Sequence, residues 1–230
     1  AMGPEFSRKR REEDYPVTKS SRAPNIVLIM ADQLAPQFTG AYGHPVAKTP
    51  HINALAGRGM RFDSAYCNSP LCAPSRFSFM SGQFVSRIGA YDNASEFSSS
   101  VPTFAHYLKI MGYSTCLAGK MHFVGPDQKH GFEERLTTDI YPSDYAWTPD
   151  WERTEERIDK WYHNMATVKE AGICAATFQI DYDEEVAFFA KRRIFDYARD
   201  EEQPFCLVAS FIHPHDPYVA RQEWWDLYDP

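Results

Sequence analysis

Positive charge is what this 230-residue sequence has too little of. Its 24 lysines and arginines stand against 31 aspartates and glutamates, a formal net charge of −7. Nucleic-acid binding needs a basic face, so it is excluded as a general function. An anionic substrate must be drawn in by a local cluster of cations, not by the field of the whole molecule. Long apolar runs are missing too. The longest, around Ile26–Ala31, has the length of a strand and not of a membrane span. The first residues lack the apolar segment of a signal peptide, so no membrane partner is expected. Paired cysteines are the third absence. Cys67, Cys72, Cys116, Cys174 and Cys206 are odd in number and follow no regular framework, which predicts reduced thiols and a cytoplasmic location. The Cys67–Cys72 spacing fits no zinc knuckle and no second pair follows, so structural zinc is not expected.

What is present is enough apolar material for one large α/β domain: 43% hydrophobic and 15% aromatic residues. Residues 1–22 read as a tag and disordered tail, with Ala1–Phe6 resembling a cloning scar and Arg8–Asp14 a solvated run of mixed charge. Residues 23–230 read as the domain. Asn25–Met30 is a continuous, β-branched run that predicts a buried parallel strand. Asp32 follows at its carboxyl end, where ligands bind in open α/β sheets; a metal ligand and a turn cap are the two readings. Thr49–Ala56 predicts a helix with Thr49 as its cap and Pro50 in the first turn, and Arg61–Cys67 a return to the sheet. A further helix runs through Phe104, Tyr107, Leu108 and Met111 to a stop at Gly112, followed by a strand at Tyr113–Ala118. Asp181–Glu202 has the clearest helical period, and Phe205–Ile212 is another buried strand. The alternation defines an α/β protein.

The chain is organised around Ser69–Arg76. Pro74 suits the first turn of a helix that Gly82 ends, so Cys72 falls at a helix N-terminus, where backbone N–H groups favour negative charge. Arg76 lies one turn on, on the same face. Lys120 and His122 follow the Tyr113–Ala118 strand. In an extended segment they point the same way, which suits a group with three acceptor oxygens. His213-Pro214-His215-Asp216 brings two histidines and an aspartate to the end of the last strand. Asn93 serves either its own turn or a ligand. Residues 139–161, rich in proline and holding Trp147, Trp151 and Trp161, read as an excursion or lid. An aromatic face there could hold a quaternary ammonium by cation–π attraction, or simply pack the loop.

Cys72-Ala73-Pro74-Ser75-Arg76 resembles the Cys-x-Pro-Ser-Arg signature of the type I sulfatases. The runs Ile29–Leu34, Gly89–Asn93, Gly119–Pro126, Gly131–Pro142 and Tyr141–Pro149 are similar to the choline sulfatase branch of that family. The resemblance implies a largely parallel, mixed sheet flanked by helices, of the alkaline-phosphatase and sulfatase type, of which this chain holds the N-terminal portion. It implies that Cys72 is oxidised to formylglycine by a formylglycine-generating enzyme. It implies a metal site at Asp32 and the converted Cys72, with Gln33 where many sulfatases carry a second aspartate. Calcium is the implied ion, and magnesium is chemically possible. Arg76, Lys120 and His122 are implied to stabilise charge, His215 to move a proton, Asn93 to contact the sulfate and Trp147 to wall the ammonium group. The implied substrate is a small sulfate ester, choline sulfate, and the expected assembly a homo-oligomer. Further metal ligands and a lysine are expected from a C-terminal part. Without that part, the chain is expected to expose a sheet edge and apolar surface and to be inactive. The rivals are a phosphonate monoester or phosphodiester hydrolase of the same superfamily and a non-catalytic ester-binding protein.

Overall fold

The computed structural model describes residues 23–141, 152 and 165–228. Strand β1 (Ile26–Ala31) is followed by helices α1 (Pro50–Ala56), α2 (Cys72–Ser81), α3 (Val85–Ile88) and α4 (Phe104–Ile110). Then come β2 (Ser114–Gly119), β3 (Glu134–Arg135), α5 (Ala166–Lys169), β4 (Gly172–Ile173), α6 (Phe178–Tyr197), β5 (Phe205–Phe211), β6 (Val219–Ala220) and α7 (Gln222–Trp225). The main sheet has the order β1-β5-β2-β3, and every pairing in it is parallel. Strands β4 and β6 form a separate parallel pair. No described helix is long and apolar enough to cross a membrane.

Parallel strands need both faces covered, and β2 and β5 meet that condition. Leu117 and Val208 face a core built with Ala73, Phe77 and Met80 of α2 and with Phe97 and Phe123. Their neighbours Cys116, Ala118, Leu207 and Ala209 face Tyr182, Val186 and Ala190 of α6. The alternation along each strand divides the core into two layers on opposite faces of one sheet. Phe77 and Phe97 stack at 4.5 Å, locking α2 against the sheet and so fixing where Cys72 lies.

Several expectations are corrected. β1 is not a buried strand: Val27 and Ile29 are exposed, while Leu28 and Met30 pack on the α2 side. Helix α6 covers β5 and β2 and leaves the outer face of β1 bare, and β1 pairs only with β5 among the described residues. Arg61–Cys67 forms no strand; its Phe62 and Tyr66 are exposed, and no apolar surface receives them. Thr49 precedes α1, but its hydroxyl bonds Gly40 N and Asn53 Oδ1, so it does not cap the helix. Helix α6 starts earlier than its acidic turn suggested. Thr177 caps it by accepting from Ile180 N, and it ends at Tyr197 rather than Glu202. The outer face of β1 is apolar and exposed at Val27 and Ile29.

Candidate active site

Four chain segments reach one point at the carboxyl ends of the parallel strands. Asp32 directly follows β1, and its N–H continues the ladder to Phe211 O at 3.1 Å. Lys120 directly follows β2. The chain turns there at Gly119 (φ +103°), where a Cβ would stand 1.9 Å from Ser210 O, so only glycine fits. His215 lies four residues beyond β5, in a turn with cis peptides at His213–Pro214 and Asp216–Pro217. Cys72 is the first residue of α2, whose C-terminus closes with Gly82 in the left-handed region.

Lys120 is fully buried and forms a close ion pair with Asp32 Oδ2. Its Nζ lies 3.7 Å from Cys72 Sγ, which is itself 3.8 and 3.9 Å from the two Asp32 oxygens. Arg76 is buried as well. It donates to Lys120 O at 2.6 Å and to Ser210 Oγ at 2.9 Å, and its Nη2 lies 3.8 Å from Asp32 Oδ1. His215 Nδ1 donates to the Asp216 carbonyl, 2.8 Å away. Asn93 Oδ1 accepts from Ala73 N at 3.0 Å, at the first turn of α2 beside Cys72. An open groove of about 370 Å³ borders the cluster, lined by Asp32, Gln33, Leu34, Cys72, Ser75 and Arg76.

The charges set the protonation states. Burial would raise the Asp32 carboxyl, but Lys120 and then Arg76 overcome it and hold the group below its ordinary value, ionised. Burial raises the Cys72 thiol, and Lys120 opposes this only in part. A thiol kept protonated is a weak nucleophile at neutral pH. Burial, then Lys120, lowers His122 to about 4, so its ring is neutral near pH 7. Cys116, the candidate core thiol, is wholly buried and pushed up to about 12 by burial first.

The structure brings together Asp32, Cys72, Arg76, Lys120 and His215, with Asn93 adjoining. Each of Asp32, Cys72 and His215 offers a ligand atom, all within 4.8 Å of one another. This set fits a hard divalent cation in part. Asp32 supplies an ionised carboxylate, and an oxygen in place of the Cys72 sulfur would supply a second hard donor. Gln33 stands next to Asp32 at φ +63° and is exposed, with its amide nitrogen donating to Tyr218 OH at 3.0 Å. Lys120 and His122 are not in an extended segment, since His122 adopts φ +59°. Both nevertheless approach one aromatic ring, Tyr141, at 4.4 Å from Lys120 Nζ and 5.0 Å between the His122 and Tyr141 rings. His213 leaves the cluster and binds Asp183 of α6 through Nδ1 at 2.7 Å. Trp147, like Trp151 and Trp161, lies outside the described residues.

Two contributors were not singled out from the sequence. Ser210 is the lone hydroxyl in the apolar run of β5, and that polarity in a buried strand was a readable sign. Tyr141 sits inside the Gly131–Pro142 motif but carries no sign of its own. Its phenol is raised first of all by burial.

Solved structures show where this layout recurs. A phosphonate monoester hydrolase of Agrobacterium radiobacter shares the fold (TM-score 0.64, 22% identity, covering 90% of this chain and 44% of that one). So does a protein solved with its substrate D-glucosamine-2-N,6-O-disulfate (TM-score 0.59, 27% identity, 84% of this chain and 35% of that one). The architecture is thus that of a class of α/β folds already seen in solved structures. Within it, the chain belongs to the sulfatase family, whose family model matches residues 24–228. A curated relative, the choline-sulfatase of Rhizobium meliloti (strain 1021), is 54% identical over 210 residues, which are 90% of this chain and 41% of the relative. The chain therefore spans about 41% of the length of that relative.

Proposed function

We propose that the full-length protein hydrolyses a sulfate ester, choline sulfate in the first place, to choline and sulfate. The observation that carries this is the meeting of Cys72, Asp32, Lys120 and Arg76 at the N-terminus of α2, with His215 facing them. The identity with a choline-sulfatase supports the choice of ester.

Each residue has a task. Arg76 and Lys120 hold two positive charges where an anionic sulfate group and a developing oxyanion would lie. Both are shielded from water, which makes their attraction larger than at a surface. The first N–H groups of α2 add partial positive charge at the same place. Asn93, anchored on Ala73 N, orients its amide at the sulfate. His122, neutral near pH 7, offers a hydrogen bond without adding charge. His215, held through Nδ1 on the Asp216 carbonyl, gives a proton to the leaving alcohol oxygen. Trp147 is the proposed wall for the trimethylammonium group. The Cys72 thiol alone is unsuited to the chemistry, since it is held protonated and has no second oxygen with which to expel sulfate. Formylglycine at position 72, installed by a formylglycine-generating enzyme, supplies a hydrated aldehyde with one hydroxyl to take the sulfuryl group and another to release it. A divalent cation, Ca²⁺ by resemblance with Mg²⁺ chemically possible, would be held by Asp32, the oxygen at position 72 and Gln33, and supplies Lewis-acid polarisation when bound. A reducing compartment, the cytoplasm, is the proposed location, on the odd and unpatterned cysteines of the sequence.

The test is turnover by full-length protein produced with a formylglycine-generating system and loaded with Ca²⁺. Choline sulfate should be cleaved well above a phenylphosphonate monoester. Preference for the phosphonate ester would give the site to the related hydrolase, and tight binding of choline sulfate without turnover would make it a binding protein.

A further inference from the structure

At Gly119 the backbone leaves β2, and its amides must still find acceptors, since buried N–H groups are rarely left without one. Four consecutive N–H groups find three acceptors, of which one, Ser210 O, belongs to β5. Gly119 N donates to Thr137 Oγ1 at 2.8 Å, and Lys120 N to Ser210 O at 2.9 Å. Met121 N and His122 N both donate to one atom, Asp139 Oδ2, at 3.0 and 2.7 Å. Asp139 therefore replaces a strand partner over the two residues that lead the chain into the left-handed turn at His122 (φ +59°). A non-glycine residue holds that conformation only where its surroundings over-determine it.

Asp139 is itself fixed. Its side chain is 3% exposed, and Arg135 Nη2 donates to the same Oδ2 at 2.8 Å. Arg135 is anchored in turn, through Nε on Thr137 O at 3.1 Å and Nη1 on Gln128 O and Oε1 at 2.9 and 2.7 Å. Tyr182 of α6 holds the intervening segment by donating to Thr138 O at 2.8 Å. Arg135 and Asp139 touch neither Cys72 nor Asp32 in any described contact; Asp139 meets the site through the Met121 and His122 backbone and through its charge near the His122 ring.

We infer that Asp139, with Arg135 as its counter-ion, is the positioning residue that sets the pose of His122 beside the strand-end cluster. The geometry stands on its own; what the pose is for rests on the sulfate-ester reading above.

Two readouts on the full-length, formylglycine-bearing, Ca²⁺-loaded protein test it. The first is hydrogen exchange over residues 114–124. In Asp139→Ala, Met121 and His122 amides should exchange about 10-fold faster or more, while the β2 amides keep their protection. Asp139→Asn keeps an oxygen acceptor and should restore most of that protection. It also keeps the test open if the alanine variant fails to fold. The second is a double-mutant cycle on choline sulfate turnover. Asp139→Ala should lower kcat about 10–100-fold, the size found for residues that orient a site from behind. The loss should shrink to under about 3-fold in a His122→Ala background and persist in a His215→Ala background. Unchanged exchange at Met121 and His122, or an equal kcat loss in all backgrounds, overturns the inference. Wild-type protein inert on sulfate esters would instead sink the hydrolase reading, and the exchange result alone would then decide the role of Asp139.

Discussion

His213 and His215 stand two residues apart in one turn, and the fold sends them to different partners. His215 is buried and joins Asp32 and Cys72. His213 turns to α6, where Asp183 accepts from its Nδ1 side at 2.7 Å and from the backbone N–H groups of Ile212 and His213 at 2.7 and 3.0 Å. The one carboxylate at α6 is a clasp: it satisfies the end of β5 and holds the helix to it. The one at β1, Asp32, is a charge centre that two cations compete to neutralise. The same pair of residue types thus clasps a helix in one place and gathers at the strand-end cluster in the other, and proximity in sequence does not distinguish them.

That contrast can be broken by substitution, and the largest effect belongs to the charge centre. Cys72→Ala or Lys120→Ala in the full-length enzyme should reduce choline sulfate turnover by about 10³-fold or more, because nucleophile and charge stabilisation act as a unit. A folded variant with more than a tenth of wild-type kcat would remove either residue from the chemistry. Next comes the pair itself. His215→Ala should cost about 10²–10⁴-fold in kcat, the range for general acid–base groups. His213→Ala should leave kcat within about 10-fold and instead lower stability by about 1–3 kcal/mol, read from urea midpoints, because it takes a partner from a largely buried carboxylate. Equal kcat losses at the two positions would contradict the division of roles.

A smaller effect comes from two buried histidines. His122 and His130 are both lowered to about 4, burial being the first cause in each. In the unfolded chain a histidine titrates at about 6.5. As pH falls below that value the unfolded state takes up protons that the folded state refuses, so stability should drop between pH 6.5 and about 4. Urea midpoints across this window should fall with pH. His130→Asn, which tolerates the positive φ at that position (+40°), should flatten the slope. An unchanged slope would move the acid sensitivity elsewhere.

Much of the site could be read from single residues because local chemistry dictated it. Pro74, Arg76 and Gly82 mark a helix start, a facing cation and a helix end, and α2 runs where they place it. Asp32, Lys120 and His215 each follow an apolar run, and strands read as parallel bring such positions to one end. What could not be read depended on neighbours distant in sequence. β1 has the apolar run of a buried strand, yet its exposure follows from how far α6 reaches across the sheet. The pose of His122 looked like the outcome of an extended segment; it is a left-handed turn held by Asp139, seventeen residues on. Tyr141 and Ser210 meet the cluster through the sheet register and the return of the chain, which no local pattern encodes.

The most direct test is mass spectrometry of the tryptic peptide Phe62–Arg76 from full-length protein co-produced with a formylglycine-generating system. A mass in which the Cys72 thiol is replaced by an aldehyde or its hydrate, in protein that cleaves choline sulfate, is the predicted result. A peptide with its thiol intact, from protein inert on sulfate esters, would contradict the assignment of Cys72 as the source of the nucleophile.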